Sequence, residues 1–157
     1  MKNFKSGLLV LAACIAAGST LNGGPADTGK IAAQKVVEQL KAAHPEITGL
    51  ELAASRSETD GCKTIAATEA NEIGQKCDED ELTAIKTNKP FVEKEKDEFD
   101  VTLPIHDSTG AIIGTAGMDF KAESDRTQET VVRLAKQIAA ELEKRITSKE
   151  QLFEPVK

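Results

Sequence analysis

The sequence predicts an α+β domain: a five-stranded antiparallel sheet, long helices at the N- and C-terminal ends of the domain, and a short helix between strands 2 and 3. Residues 99–120 (FDVTLPIHDSTGAIIGTAGMDF) have the pattern of a β-hairpin: apolar and polar side chains alternate over 99–106, a turn follows at 107–110, and 111–120 form a second strand. Two upstream segments also have strand character, and apolar stripes at helical spacing flank the set. We therefore expect one sheet with its first and last strands central and the helices on one side.

Each predicted element follows from a local signal. Pro45 ends the first helix, because proline disfavours helical backbone at the preceding residue. The short helix begins at Asp78 or Asp80, which can cap it, and has Leu82 and Ile85 as its inward residues. The predicted elements are a helix over 29–43, strands over 47–55 and 63–68, a short helix to about 87, strands over 91–95, 99–106 and 111–120, and a helix over 127–147.

The N-terminus has the pattern of an export signal. Lys2 and Lys5 precede an apolar run over 8–17, and small residues follow to position 20. Cleavage after Ser19 would give a secreted or periplasmic protein with a linker over 20–28. Alternatively, Leu11-Ala12-Ala13-Cys14 resembles a lipoprotein motif, in which the signal is 1–13 and a lipidated Cys14 anchors the chain to the membrane. We expect the domain itself to cover 29–147, followed by a loosely attached tail over 148–157.

Cys62 and Cys77 remain after either cleavage. Two closely spaced cysteines in an exported protein predict a disulfide bond. Their spacing, without a neighbouring histidine or further cysteine, does not match a tetrahedral metal site.

The composition excludes several functions. The chain has 20 basic and 26 acidic residues, so removal of Lys2 and Lys5 changes the net charge from −6 to −8. No tryptophan or tyrosine is present to stack on bases, which argues against nucleic-acid binding. Common catalytic and cofactor motifs are missing, so we expect neither catalysis nor a cofactor. The acidic run 78–81 lacks the calcium-loop pattern and is better explained as helix capping.

The chain resembles the single Cache domain, an extracellular relative of PAS sensor domains. The resemblance lies in the order of the elements and in three segments, DVTLPIHDSTGAIIGTAGMDF, TIAATEANEIGQKCDEDEL and KTNKPFVEKEK. This resemblance covers roughly residues 29–147. It implies that a small molecule, such as an amine, amino acid or carboxylate, binds between the sheet and the loop-helix region joining strands 2 and 3.

Carried over by position, the resemblance places Asp119 where some family members hold an amine-bearing ligand with a carboxylate. The other implied pocket residues are Thr64, Ala66, the segment 69–73, Phe91, Thr102 or Val101, His106, Thr115 and Gly117. The residues alone favour the other interpretations, with Asp119 on a solvent-facing side of its strand and His106 as an exposed turn residue.

One departure from the family bears on function. Cache domains usually continue through a membrane helix to an output domain, and no such helix is predicted here. We therefore expect a free-standing sensor that acts through a partner, such as a membrane sensor protein. A homodimer through the N-terminal helix is common in the family. The alternative is a structural or interaction protein that keeps the fold without a pocket.

Overall fold

The computed structural model describes residues 30–156 and confirms the predicted fold class. Five antiparallel strands form one sheet in the order β2-β1-β5-β4-β3, so the first and last strands are inside the sheet, as expected. The expected signal peptide, Cys14 and linker lie outside the described residues. The elements are α1 (Ala32–Ala43), β1 (Gly49–Ala54), β2 (Lys63–Ala67), α2 (Glu79–Thr87), β3 (Phe91–Lys94), β4 (Glu98–His106), β5 (Ile112–Lys121), α3 (Gln128–Arg145) and α4 (Lys149–Leu152).

One face of the sheet is apolar and holds the core. Alternate residues of the central strands, such as Leu52, Val101 and Met118, are buried here, and α1 and α3 pack over them. Both helices have an apolar stripe at the spacing that a helix needs to cover a sheet. Thr127 begins α3 by accepting a hydrogen bond from the Thr130 N–H.

The short helix α2 lies on the opposite face, which corrects the expectation that all helices share one side. Its inward residues are Glu81 and Ala84. Leu82, expected to point inward, is 51% exposed. The helix is therefore oriented by its capping residue and an acidic side chain rather than by its largest apolar side chain.

Cys62 and Cys77 form a disulfide bond, as predicted, with 5.3 Å between their Cα atoms. The bond closes the connection from β2 toward α2. Within this connection the Thr64 N–H donates to the Gln75 carbonyl and the Gly74 N–H donates to the Thr64 carbonyl. The loop is thus held against the outer edge of β2.

The expectation of a loosely attached tail is wrong. Leu152 of α4 is fully buried in the core, and Pro155 pairs with Ile31 in an antiparallel bridge. The Ala32 N–H donates to the Glu154 carbonyl at 2.8 Å. The folded part of the chain therefore extends through these residues. None of the helices within residues 30–156 has the length and hydropathy that a membrane span requires.

Candidate functional site

A cavity of about 110 Å³ lies on the sheet face opposite the core. Its lining is mostly acidic, and it joins strands β1, β4 and β5 to the loop that precedes α2. The lining residues are Leu50, Glu51, Glu72, Asp100, Gly117 and Asp119.

Strand register brings the acids together. Asp100 of β4 and Asp119 of β5 are directly opposite one another, and Glu51 of β1 is opposite Gly117. Because side chains alternate along a strand, Gly117 and Asp119 face the same side of β5. Three carboxyl groups from three neighbouring strands therefore converge on one space, although like charges directly opposite one another are unfavourable.

Two glycines make room for these carboxyl groups. A Cβ atom added at Gly117 would lie 2.9 Å from Glu51 Oε1, which is too close for an ordinary contact. A Cβ atom at Gly49 would collide with the Asp119 carboxylate. The side chains of Glu51 and Asp119 thus lie across the sheet over neighbouring backbone that lacks side chains.

Glu51 also has a partner beside the cavity. The Thr64 hydroxyl of β2 donates a hydrogen bond to Glu51 Oε2 at 3.2 Å. Glu81 of α2 is near enough for its negative charge to raise the pKa of Glu51. Glu81 Oε2 itself accepts a hydrogen bond from the Asp78 N–H at 2.9 Å.

The environment favours the protonated form of each carboxyl. Burial, followed by repulsion from Glu81 and Glu72, raises the pKa of Glu51 to about 8. Burial and the nearby Asp119 raise the pKa of Asp100 to about 7. Burial raises the pKa of Asp119 to about 6, with repulsion from Glu98 as the next cause.

No lysine, arginine or histidine lines this cavity. The uncompensated negative charge makes the empty site unfavourable at neutral pH. A positively charged group inside it would relieve the repulsion and could donate several charge-assisted hydrogen bonds to the carboxylates. The arrangement is therefore suited to a small cation or an ammonium group.

Several predicted pocket residues lie on this face of the sheet. Asp119, Gly117 and Glu72, within the predicted segment 69–73, line the cavity, and Thr64 bonds to Glu51. Thr102 rather than Val101 faces this side, opposite Gly117. Phe91, on the edge strand β3, is paired with Thr102. Thr115 lies two residues before Gly117 on β5 and is fully buried.

Two predicted pocket residues lie elsewhere, which corrects those assignments. A register irregularity between β1 and β2 pairs Ala66 with Leu52, so Ala66 is buried on the core side. A second irregularity separates Ile105 and His106. His106 lies at the far end of β4, where Glu143 Oε1 of α3 is 2.9 Å from its Nδ1 atom.

Sequence reasoning missed Glu51 and Asp100 as site residues. A signal was present for both, because each acidic residue lies between two large apolar residues of a strand, in the sequences LEL for Glu51 and FDV for Asp100. A carboxylate at a position flanked by buried residues is costly unless it has a partner.

The acidic run 78–81 acts as a helix cap. The Asp80 N–H donates to Asp78 Oδ1 at 3.0 Å, and the Asp78 N–H donates to Glu81 Oε2 at 2.9 Å. This reciprocal pattern is a capping box. Across residues 30–156, no group of three or more histidine, cysteine or acidic residues is arranged to hold a metal ion.

A second groove, of about 340 Å³, lies between β2, the disulfide-closed loop and Phe153. It is more open to solvent than the acidic cavity. Arg56 covers the Phe153 ring at 4.9 Å. The accessible surface of this groove is mainly apolar, and its charged residues, Arg56, Asp60 and Lys63, are of both signs.

Sequence comparison finds no matching family model and no matching curated protein. Structural comparison does find similar folds. The GAF domain of a two-component sensor histidine kinase from Bacillus halodurans has a TM-score of 0.53 at 9% identity, covering 74% of this chain and 95% of that domain. The Agobacterium tumefaciens repressor BlcR has a TM-score of 0.50 at 11% identity, covering 74% and 67%.

An enzyme also shares the fold. The type II free methionine-R-sulfoxide reductase from Thermoplasma acidophilum has a TM-score of 0.53 at 14% identity, covering 79% of this chain and 98% of that enzyme. At such low identities the similarity concerns the fold alone. The chain therefore has a GAF/PAS-like α+β fold, an architecture found in sensor and regulator domains and in an enzyme.

Proposed function

We propose that this chain is an exported, free-standing sensor module of the Cache type that binds a small molecule through a positively charged group. One observation carries the proposal: three half-buried carboxyl groups, Glu51, Asp100 and Asp119, converge on a cavity whose lining has no basic side chain. A ligand-free sheet face used only for structure would gain nothing from this repulsion.

The ligand class follows from the chemistry of the lining. An ammonium group donates up to three hydrogen bonds and is compact enough to enter a cavity of about 110 Å³. Asp119 lies at the lining position that the Cache resemblance associates with amine-bearing ligands. A primary amine or the ammonium group of an amino acid is therefore the class we propose, in preference to a simple carboxylate.

A structural protein that has lost its pocket is the main alternative. That alternative expects large apolar side chains to fill the sheet face, whereas the lining is polar around Asp119. Signalling would pass through a partner, such as a membrane sensor protein. A homodimer through α1 would use a polar surface, since Lys35, Glu38 and Gln39 are exposed there.

We further propose that the module is not an enzyme, although a reductase shares its fold. Cys62 and Cys77 are joined to each other, and neither lines the acidic cavity. Formation of methionine from free methionine sulfoxide, in the presence of a thiol reductant, would contradict this part of the proposal. The disulfide also supports export, because such bonds persist in oxidising compartments.

The test is a thermal-unfolding screen of primary amines, amino acids and simple carboxylates at pH 7.5, where most Asp119 side chains are ionised. A ligand that binds only the folded protein raises the unfolding midpoint. We expect amines to do so, and calorimetry with the most effective amine should show binding weakened about tenfold or more in Asp119→Asn. Without ligand, this variant should be about 1 kcal/mol more stable after allowance for solvent screening.

Asp125→Asn is the matched control, because Asp125 is exposed and lies outside the cavity. It loses the same charge and should bind the amine as the unmodified protein does. Equal affinity in Asp119→Asn and Asp125→Asn would remove Asp119 from the site. A screen in which no amine or amino acid raises the midpoint would favour the structural alternative.

A further inference from the structure

His44 connects three parts of the chain at the end of α1. It is the C-terminal capping residue of that helix, and its backbone N–H donates to the Leu40 carbonyl. Its Nδ1 atom lies 2.9 Å from Glu46 Oε1, in the connection to β1, and its Nε2 atom lies 3.2 Å from Glu141 Oε2, on α3. One imidazole ring therefore links the two long helices that cover the core.

The geometry determines the charge of this ring. An ionised carboxylate only accepts hydrogen bonds, so each ring nitrogen must carry a hydrogen in order to bond to its partner. An imidazole ring with two N–H groups is a cation. Its position at the C-terminal end of α1 also favours positive charge, because the helix dipole is negative there. His44 is therefore an imidazolium group between two carboxylates.

The charged groups near the ring come from α1, from the connection to β1 and from α3. The two that act on the charge of His44 are both acidic, Glu46 and Glu141. Lys41 lies in the last turn of α1, and Arg126, just before α3, donates to the Glu46 carbonyl oxygen at 3.3 Å. Lys41, Glu46 and Arg126 line one cavity, in which Arg126 acts on Glu46. The carboxylates thus decide the protonation of His44.

Burial and hydrogen bonding act on the ring in opposite directions. Burial disfavours its charge, since the side chain is only 16% exposed, but the hydrogen bonds to Glu46 and Glu141 outweigh burial and raise the pKa of His44 above its ordinary value. The charge inferred from the hydrogen bonds and the direction of the pKa shift therefore agree.

We propose that protonated His44 is a pH-dependent link between α1 and α3, and that loss of its proton releases Glu141. A neutral ring has one N–H and can donate to only one of the two carboxylates. The contact with Glu141 is the one expected to break, because it is longer than the contact with Glu46 and its carboxylate is more exposed, 42% against 28%. The bond within the connection to β1 remains, while the bond between the helices is lost.

The direction of the pH effect follows from the raised pKa. The folded protein keeps the proton of His44 to higher pH than the unfolded chain, where the ordinary value of 6.5 applies. The link stabilises the fold fully below this value, and its contribution is lost as the pH rises through the raised pKa. A second contact between the same helices differs in this respect. Arg145 of α3 donates to Gln39 Oε1 of α1 at 3.1 Å, and an arginine stays charged throughout this range.

Nuclear magnetic resonance titration of the ring nitrogens in the ¹⁵N-labelled full chain tests the proposal. The chain has two histidines, so the spectrum of His106→Gln assigns the signals of His44. We expect a titration midpoint above 6.5 for His44. Glu141→Gln should weaken proton binding about threefold, a fall of about 0.5 pH unit, because an interaction with one partly exposed carboxylate is lost.

Arg145→Gln is the matched control, since it removes the other polar contact between the helices and should not lower the midpoint. A midpoint at or below 6.5 in the unmodified protein would overturn the proposal. An equal midpoint in Glu141→Gln and the unmodified protein would do the same.

A double-mutant cycle of His44→Gln and Glu141→Gln measures the link itself and separates it from the carboxyl groups of the acidic cavity. At pH 6 the interaction of the two residues should lower the unfolding equilibrium constant about two- to fivefold, and at pH 9 this factor should approach one. The corresponding cycle of Gln39→Ala and Arg145→Gln should give the same factor at both pH values. A His44–Glu141 interaction of equal strength at pH 6 and pH 9 would contradict the link.

Discussion

The two faces of the sheet differ in polarity and in what covers them. The core face carries fully buried apolar side chains such as Phe120, and it is covered by two long amphipathic helices. The opposite face carries Glu51, Asp100 and Asp119, and a helix of nine residues lies beside them. Adjacent residues of β5, Asp119 and Phe120, therefore face environments of opposite character.

Within a single strand, residues on one face therefore stabilise the fold, whereas residues on the other face line the acidic cavity. Apolar burial on one face contributes roughly 1.5–3 kcal/mol for each large side chain, which can offset unfavourable charge on the other face. A polar cavity can thus be built on a strand without loss of the fold, provided that its neighbours in the sequence supply the core. Variants on the two faces should accordingly change stability in opposite directions.

The largest effect is expected on the core face. Phe120→Ala removes a fully buried aromatic side chain and should lower the free energy of unfolding by about 3–5 kcal/mol. Urea unfolding followed by circular dichroism measures this change, with Asp119→Asn as the neighbour on the opposite face. A loss below about 1 kcal/mol in Phe120→Ala would show that the two faces do not differ as described.

The next effect concerns the disulfide bond, which closes the loop that contains Glu72 of the acidic cavity. Replacing Cys62 and Cys77 together by serine should cost on the order of 3 kcal/mol, because the disulfide closes a loop of 15 residues. Urea unfolding measures the loss. Mass spectrometry of the unmodified protein without reductant should show a deficit of about 2 Da for the two hydrogens lost. Two thiols that alkylate freely in the native protein would contradict the bond.

The smallest effect is expected at Thr115. This side chain is fully buried on the acidic-cavity face, and its hydroxyl has no hydrogen-bond partner within residues 30–156. Thr115→Val keeps the shape and removes the polar atom, so it should raise stability by about 1 kcal/mol. A calorimetric unfolding midpoint that falls in this variant would indicate that the hydroxyl has a favourable role.

Periodicity predicted most of the fold, because burial on one face leaves a direct pattern in the sequence. All five strands and the helices α1 and α3 follow from it, whereas α4 lies in the stretch expected to be a loose tail. The central position of β1 and β5 was expected from the rules for chain connections. The side taken by α2 could not be predicted in this way. Its apolar residues, Leu82 and Ile85, suggested a buried apolar stripe, whereas its buried residues are Ala84 and Glu81, and Glu81 belongs to the capping box.

Predicted pocket residues lie on the face of the acidic cavity only where strand alternation holds. Asp119, Gly117 and Thr102 share a face because they lie in regular strands. Ala66 and His106 were misplaced because register irregularities beside them turn the chain, and such bulges have no reliable signal in a single sequence. The convergence of Glu51 and Asp100 depends on pairing between distant strands, which local patterns do not specify.

The pairing of residues 30–32 with 154–156 has a mechanical consequence. The Ala32 N–H donates to the Glu154 carbonyl, and the Val156 N–H donates to the Lys30 carbonyl at 2.7 Å. Because the two segments run antiparallel, residues 30 and 156 lie at the same end of the pair. A pulling force between them would therefore load these hydrogen bonds one after another rather than all at once. The pairing of residues 30–32 with 154–156 would therefore be the first structure to break, at low force, while the sheet and the acidic cavity stay intact.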